Sequence, residues 1–226
     1  METDNLKEVI MSWSGGKDSC LALYEIQKAG EYSVSALLTT LTRDYDRISM
    51  HGVRRSLLQR QAVALGLPLH EVFITKKATN QEYEMKMAEA FSSYREKGIE
   101  LVAFGDLFLE DIKTYRDQFL AKNCMQGVYP VWRRDTTDFI KEFIALGFKA
   151  LITCINSEVL DSSFAGMMID DKFLAALPPA IDPCGENGEF HTFVFDGPNF
   201  NEAVNFSIGE KVLRDTFWFC DLIPDL

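Results

Sequence analysis

Apolar residues recur at two different periods along this chain, and through the first half the two alternate. Short aliphatic runs at residues 9–13, 34–40, 69–74 and 101–104 read as buried strands. Between them the spacing is helical. One helix is expected over 19–28, closed by Gly30, and a second over 53–65, where Val53, Leu57, Leu58, Ala62 and Leu65 form a stripe that stops at Gly66 before Pro68. A longer helix over 80–97 turns Tyr83, Met87, Phe91 and Tyr94 inward and ends at Gly98. A helix over 109–123 and an apolar segment at 128–132 follow, and Pro130 confines that segment to an edge or a linker. Strand–helix alternation of this kind predicts an α/β fold, a Rossmann-like parallel sheet with helices on both faces.

Beyond residue 130 the pattern changes. A capped helix over 135–146 and a strand over 148–155 lead into an irregular stretch with a short helix near 170–176, stopped by Pro178 and Pro179. The end is β-rich, with strands at 189–195, 204–208 and 211–219 and Gly209 marking a turn. We therefore expect an α/β domain over 1–130 and a smaller α+β domain over 131–226, the two meeting at a cleft.

Composition narrows the field. The 226 residues can bury a sizeable core, and 25% charged with 47% hydrophobic is ordinary for a globular protein. No apolar stretch is long enough to span a bilayer, and residues 1–7 are polar, so neither a membrane partner nor a secretory signal is expected and the cytoplasm is the expected location. A net charge of −11, with Arg54-Arg55 and Arg133-Arg134 the only adjacent arginine pairs, disfavours a nucleic-acid footprint. The five cysteines are dispersed, without a CxxC pair, and suit reduced thiols. Cys20, Cys154 and Cys220 sit in apolar contexts, whereas Cys124 and Cys184 lie near segments of chemical interest. The three histidines, His51, His70 and His191, form no zinc-site spacing.

The segment VIMSWSGGKDSCLAL carries the strongest chemistry. A buried strand runs into a glycine turn and then into a helix N-terminus, where backbone N–H groups can hold phosphate. Ser14 and Ser19 add hydroxyls and Lys17 a mobile positive charge, while Gly15 and Gly16 let the backbone come close to an anion. The residues do not fit a Walker A loop, because Asp18 follows Lys17, nor a dinucleotide fingerprint, because no third glycine follows Gly16. They do match the SGGxDS element of the PP-loop ATP pyrophosphatases. That resemblance implies cleavage of ATP between its α- and β-phosphates.

A second element, DPCGENGEFHTFVFDGPNF at 182–200, places Glu186 between Gly185 and Gly188, with Glu189, His191 and Thr192 following. Carboxylates in a glycine-bordered loop can hold Mg²⁺, orient a cationic substrate or move protons; a structural hairpin with solvated acids is the alternative. Together with SGGKDS, the segments MHGVRRSLLQRQAVALGLPL at 50–69, GDLFLED at 105–111 and GENGEFHT resemble the diphthine–ammonia ligase family over nearly the whole chain, in the same order.

The resemblance implies a HUP-type α/β domain followed by a smaller family-specific domain, and an enzyme that amidates the carboxylate of diphthine on elongation factor 2 with ATP and ammonia. It assigns Ser14, Gly15, Gly16, Lys17, Asp18 and Ser19, with Gly105 and Asp106, to ATP. It places Lys17, Asp18, Glu186 and Glu189 in catalysis, and Glu186, Glu189, His191 and Thr192 on the acceptor side. Asp18 and Asp106 are the expected Mg²⁺ ligands, and a homodimer is the expected assembly. Phe190-His191 stands where the eukaryotic pattern has Tyr-Glu, which leaves a small acid as an alternative acceptor.

Several assignments stay open on residues alone. His51 can touch a phosphate or cap a helix. Asp106, Glu110 and Asp111 can bind Mg²⁺ or simply favour a helix start. Arg116 can reach a phosphate or form a surface ion pair, and Trp132 can be core or part of an aromatic wall for a quaternary ammonium. The rival functions are a tRNA-modifying PP-loop enzyme and a non-catalytic ATP-binding module of the universal-stress type.

Overall fold

The computed structural model describes residues 6–48 and 51–225. Met50, which opens the 50–69 segment, and residues 1–5 of the first domain lie outside the described residues.

Parallel strands β1 (Lys7–Ser12), β2 (Tyr32–Thr42), β4 (Leu69–Ile74), β5 (Leu101–Ala103) and β6 (Gln126–Val128) form the first sheet. The lower part of β2 pairs with β1 (Val9 opposite Val34), and its upper part pairs with β4 (Thr40 opposite Val72). On the other side β1 pairs with β5 (Met11 opposite Ala103), and β5 with β6. The spatial order is therefore β4-β2-β1-β5-β6, and the order in which strands are added reverses between β1 and β5 while all five stay parallel. Open α/β sheets bind ligands at the carboxyl ends of the strands at such a reversal. A two-residue strand, β3 (Arg47–Ile48), pairs antiparallel with the top of β2, an addition that its length kept out of the sequence pattern.

Helices α1 (Lys17–Ala29) and α2 (Arg55–Ala64) bury Leu21, Leu57 and Leu58 in one core. Helices α3 (Asn80–Arg95) and α4 (Glu110–Lys122) bury Phe91 and Leu120 in a separate core, so the sheet is covered on both faces. Gly30 ends α1 in the left-handed conformation (φ 67°), as a helix C-terminus favours.

Helix α5 (Thr136–Ala145), capped by the Asp135 carboxylate, leads to β7 (Lys149–Asn156) and the short α6 (Asp171–Ala176). The second sheet then has the antiparallel order β8-β7-β10-β9, with β8 (Phe190–Asp196), β9 (Phe206–Arg214) and β10 (Phe217–Pro224). Two expectations fail here. Gly209 lies inside β9 rather than at a turn, and the segment 211–219 is split by the hairpin turn at Asp215 (φ 53°). Residue 209 packs against Ile223 of β10, and a Cβ there would sit 3.0 Å from that side chain, so the glycine serves packing.

The α1/α2 core continues into this second lobe through Phe139, Phe143, Ile152 and Phe193. Strand β8 comes to rest against the N-terminal end of α1. That contact builds the site.

Candidate active site

A cleft of about 730 Å³ opens at the carboxyl ends of β1, β2 and β5, where the strand order reverses. The loop after β1 contributes Ser14, Lys17, Asp18 and Ser19; the turn after β5 contributes Gly105 and Asp106; the second lobe contributes Cys184, Glu186, His191 and Thr192. Gly15 takes φ +74°, which turns the chain sharply into α1. Ser14 and Ser19 hydroxyls lie 3.2 Å apart, and the Ser19 hydroxyl also donates to the Gly16 carbonyl at 3.0 Å.

Lys17 is 3% exposed, and its ammonium donates to both Asp18 oxygens at 2.8 and 2.9 Å. Burial opposes its charge, but the Asp18 and Glu186 carboxylates outweigh burial and hold the Lys17 pKa above its ordinary value. Burial raises the Asp18 carboxyl, with Lys17 pulling the other way. Asp106 is raised chiefly by burial and by Asp18, while Arg116 opposes the shift through an ion pair at 3.0 Å. Glu186 is raised from 4.5 to about 8, through burial first and then Asp18. Three carboxyls that burial and each other penalise thus face one cleft.

Among the described residues no group of three or more His, Cys, Asp or Glu side chains converges on a metal position. Magnesium at nucleotide sites uses one or two carboxylates and takes its other ligands from phosphate and water. Asp18 and Asp106, raised carboxyls on adjacent turns, fit that smaller donor set.

The second lobe grips the loop directly. The Thr192 hydroxyl accepts from the Lys17 backbone N–H at 3.0 Å and also lines the cleft, so it ties the second lobe to the loop. The Val194 N–H donates to the Gly15 carbonyl at 2.9 Å. Glu189, expected to face the acceptor, is only 6% exposed and does not line the cleft. Its carboxylate accepts from the backbone of Asp182 (3.2 Å) and Asn187 (2.8 Å) and from the Asn187 side chain (3.1 Å), and so braces the 182–189 loop that carries Glu186.

His51 and His191 pack together at the cleft wall, ring centroids 4.5 Å apart and planes tilted by 34°. Burial lowers both pKa values, to about 4 for His51 and about 3 for His191, where the neighbouring His51 adds to the effect. Two neutral imidazoles therefore stand beside Lys17. The segment carrying His51 is tied to β10 by Asp221, which accepts from Arg47 at 2.9 Å and from Arg54 at 3.0 and 2.6 Å. Arg116 lines the cleft over the Phe104 ring, 4.4 Å from its centroid. Trp132 does not line the cleft; Lys113 and Tyr129 pack on it. All five cysteines are free, Cys124 alone is exposed, and burial pushes the Cys184 thiol up, which leaves it protonated.

One residue at the centre of this arrangement had gone unremarked in the sequence. Gln61 of α2, fully buried, accepts from the Trp13 indole at 2.8 Å and donates to the Gly15 carbonyl at 3.0 Å and the Val194 carbonyl at 2.6 Å. The available signal was a polar residue on an apolar stripe, four positions after Leu57 and three after Leu58.

Fold and loop together define the class: an α/β protein with a PP-loop turn at the strand-order reversal and a second, antiparallel lobe packed on it. Comparison with known proteins makes this specific. The chain belongs to the diphthamide synthase family, whose N-terminal domain matches residues 7–126 and whose C-terminal domain matches residues 135–223. It is 25% identical to a Danio rerio protein named diphthine–ammonia ligase, over 89% of this chain and 87% of that one. It is 26% identical to the Homo sapiens protein of that name, over 89% and 83%. A solved chain from Methanocaldococcus jannaschii, described as a predicted subunit of tRNA methyltransferase, overlaps at a TM-score of 0.44 with 18% identity, over 65% of this chain and 80% of that one. Among the described residues no helix is long and apolar enough to cross a membrane.

Proposed function

We propose that this protein is an ATP-dependent ligase that amidates a carboxylate with ammonia, the acceptor being diphthine on elongation factor 2 or a small acid of similar chemistry. The observation that carries the reading is the buried, charged Lys17 in a glycine turn at the strand-order reversal, opposite a carboxyl of raised pKa on the second lobe. Residues 1–130 hold the nucleotide, and 131–226 close the cleft over the acceptor.

In this reading the acceptor carboxylate attacks the α-phosphorus of ATP, an O–P bond forms, and the bond to the β-phosphate oxygen breaks. Pyrophosphate leaves against Lys17, the Ser14 and Ser19 hydroxyls and the N–H groups of the turn, which neutralise the charge that develops on it. Ammonia then adds to the acyl carbon, AMP departs, and the surplus proton passes from nitrogen to a base. Glu186, raised to about 8, is the carboxyl suited to take it near neutral pH. When bound, Mg²⁺ supplies charge neutralisation on the phosphates, and Asp18 and Asp106 are the residues that would hold it. The tRNA-modifying alternative is not favoured, since the chain carries a net charge of −11 and the cysteine at the cleft is a protonated thiol.

The test is turnover with ATP, ammonium and either diphthine-bearing elongation factor 2 or a panel of small carboxylates. AMP and pyrophosphate in equal amounts, with amide formed only when ammonium is present, are expected. Release of ADP and phosphate would refute the chemistry.

A further inference from the structure

We infer that Gln61 is the positioning residue that, through the Gly15–Gly16 peptide, sets the Ser14 hydroxyl of the phosphate loop toward the pyrophosphate end of the nucleotide; the inference rests on the nucleotide reading above. The argument is geometric. A trans peptide holds its C=O and N–H on opposite sides of one plane. The Gly15 carbonyl is fixed from behind by two donors, the Gln61 amide at 3.0 Å and the Val194 backbone N–H at 2.9 Å. The Gly16 N–H in the same peptide is thereby turned the other way, where it donates to the Ser14 hydroxyl at 3.3 Å, and that hydroxyl lines the cleft. An oxyanion entering there meets a hydroxyl whose position is already set.

Gln61 itself cannot turn. Its carbonyl oxygen is held by the Trp13 indole at 2.8 Å, and its second N–H by the Val194 carbonyl at 2.6 Å. The loop in turn leaves it no slack, because a Cβ at Gly15 would fall 2.7 Å from the Gln61 oxygen. One side chain thus locks strand β1, the phosphate turn and strand β8 of the second lobe together. The second lobe becomes part of the phosphate site and not only its lid. Gln61 reaches no cleft surface, so its effect on a ligand passes through the Gly15–Gly16 peptide.

The experiment is calorimetric titration of the full chain and its Gln61→Met variant, which keeps side-chain length without the amide, using ATP, inorganic pyrophosphate and adenosine. ATP and pyrophosphate should each bind roughly ten-fold more weakly, the scale of one displaced buried hydrogen bond, while adenosine stays within about two-fold. Equal weakening of all three ligands, or no change for any, overturns the inference. Gln61→Glu covers the case in which the methionine variant does not fold. Its protonated carboxyl keeps one donor for the Gly15 carbonyl, whereas its ionised form points charge at two carbonyls. Its ATP affinity relative to the unsubstituted protein should therefore fall as pH rises, and a ratio flat with pH overturns the inference. An unsubstituted protein that binds adenosine but neither phosphate ligand would overturn the nucleotide reading itself.

Discussion

Replacing Gly105 by alanine tests the packing of the two turns that form the nucleotide end of the cleft. The backbone at Gly105 is not left-handed, so the substitution is purely steric. Its Cβ would lie 2.7 Å from the Asp18 carbonyl carbon, 2.8 Å from that oxygen and 2.8 Å from the Ser19 nitrogen. Ordinary contact begins near 3.4 Å, so the gap must open by about 0.7 Å, and every atom met is backbone. Overpacking of this kind costs about 1–3 kcal/mol, or roughly 2–12 °C in Tm for a chain of this size. The displaced atoms belong to the first turn of α1, which carries Lys17 and Asp18, so turnover should fall about ten- to a hundred-fold. Gly30→Ala is the control. Nothing lies within 4 Å of its Cβ, but its φ of +67° strains an alanine, so it should lose about 1 kcal/mol of stability with turnover unchanged. Thermal melts and AMP release measured on both variants decide the matter. Full turnover in Gly105→Ala, or the same ratio of stability loss to activity loss in both glycine variants, would refute the reasoning.

The remaining predictions concern the charged groups of the cleft. Lys17→Ala and Asp18→Ala should each abolish AMP formation; an unchanged rate in either removes the loop from the chemistry. The Glu186 carboxyl is raised from 4.5 to about 8 in the fold, so the folded state binds its proton more tightly than the unfolded chain and loses stability as pH rises through that window. Glu186→Gln should therefore melt higher than the unsubstituted protein at pH 8 and equally at pH 4, while amide formation drops; a Tm difference independent of pH would contradict this. His51 and His191, lowered from 6.5 to about 4 and about 3, act with the opposite sign. Their contribution is complete above pH 6.5 and is lost as pH falls toward 3, so His191→Phe should flatten the acid limb of a Tm-versus-pH curve, and an unaltered limb counts against it. Asp221→Asn removes the charge that holds Arg47 and Arg54 and loosens the wall carrying His51, so KM for ATP should rise several-fold with kcat little changed. A fall in kcat alone would place Asp221 elsewhere in the mechanism.

The parts of this fold legible in the sequence are those set by local period. The parallel strands and their helices announce themselves because each buries an apolar run or stripe, and the 14–19 turn does so because few other functions call for that combination of residues. What escaped notice depends on contacts between distant segments. Gly209 looked like a turn because glycine usually is one, yet it sits within β9 where Ile223 closes over it. The family resemblance of the GENGEFHT element places Glu189 with Glu186 in catalysis. In the fold the two carboxyls take opposite fates, Glu186 toward the cleft and Glu189 beneath it as a brace. The same resemblance places Thr192 on the acceptor side, and only the tertiary fold brings its strand onto the Lys17 N–H.

These corrections share one cause. The core of α1 and α2 runs without interruption into the second lobe, so β8 meets the first turn of α1 as a packed neighbour. A backbone carbonyl or amide buried at such a junction must find a partner. The Gly15 carbonyl finds two, Val194 and Gln61, and the Lys17 N–H finds Thr192. Each bond made behind the loop fixes a peptide plane, and each fixed plane decides which N–H groups remain on the cleft side. A phosphate site assembled in this way is organised before its ligand arrives, and a donor already in place needs no reorganisation as charge develops on a leaving group. On the proposed nucleotide reading, binding strength for the triphosphate should therefore depend on residues of the second lobe that hold the loop from behind.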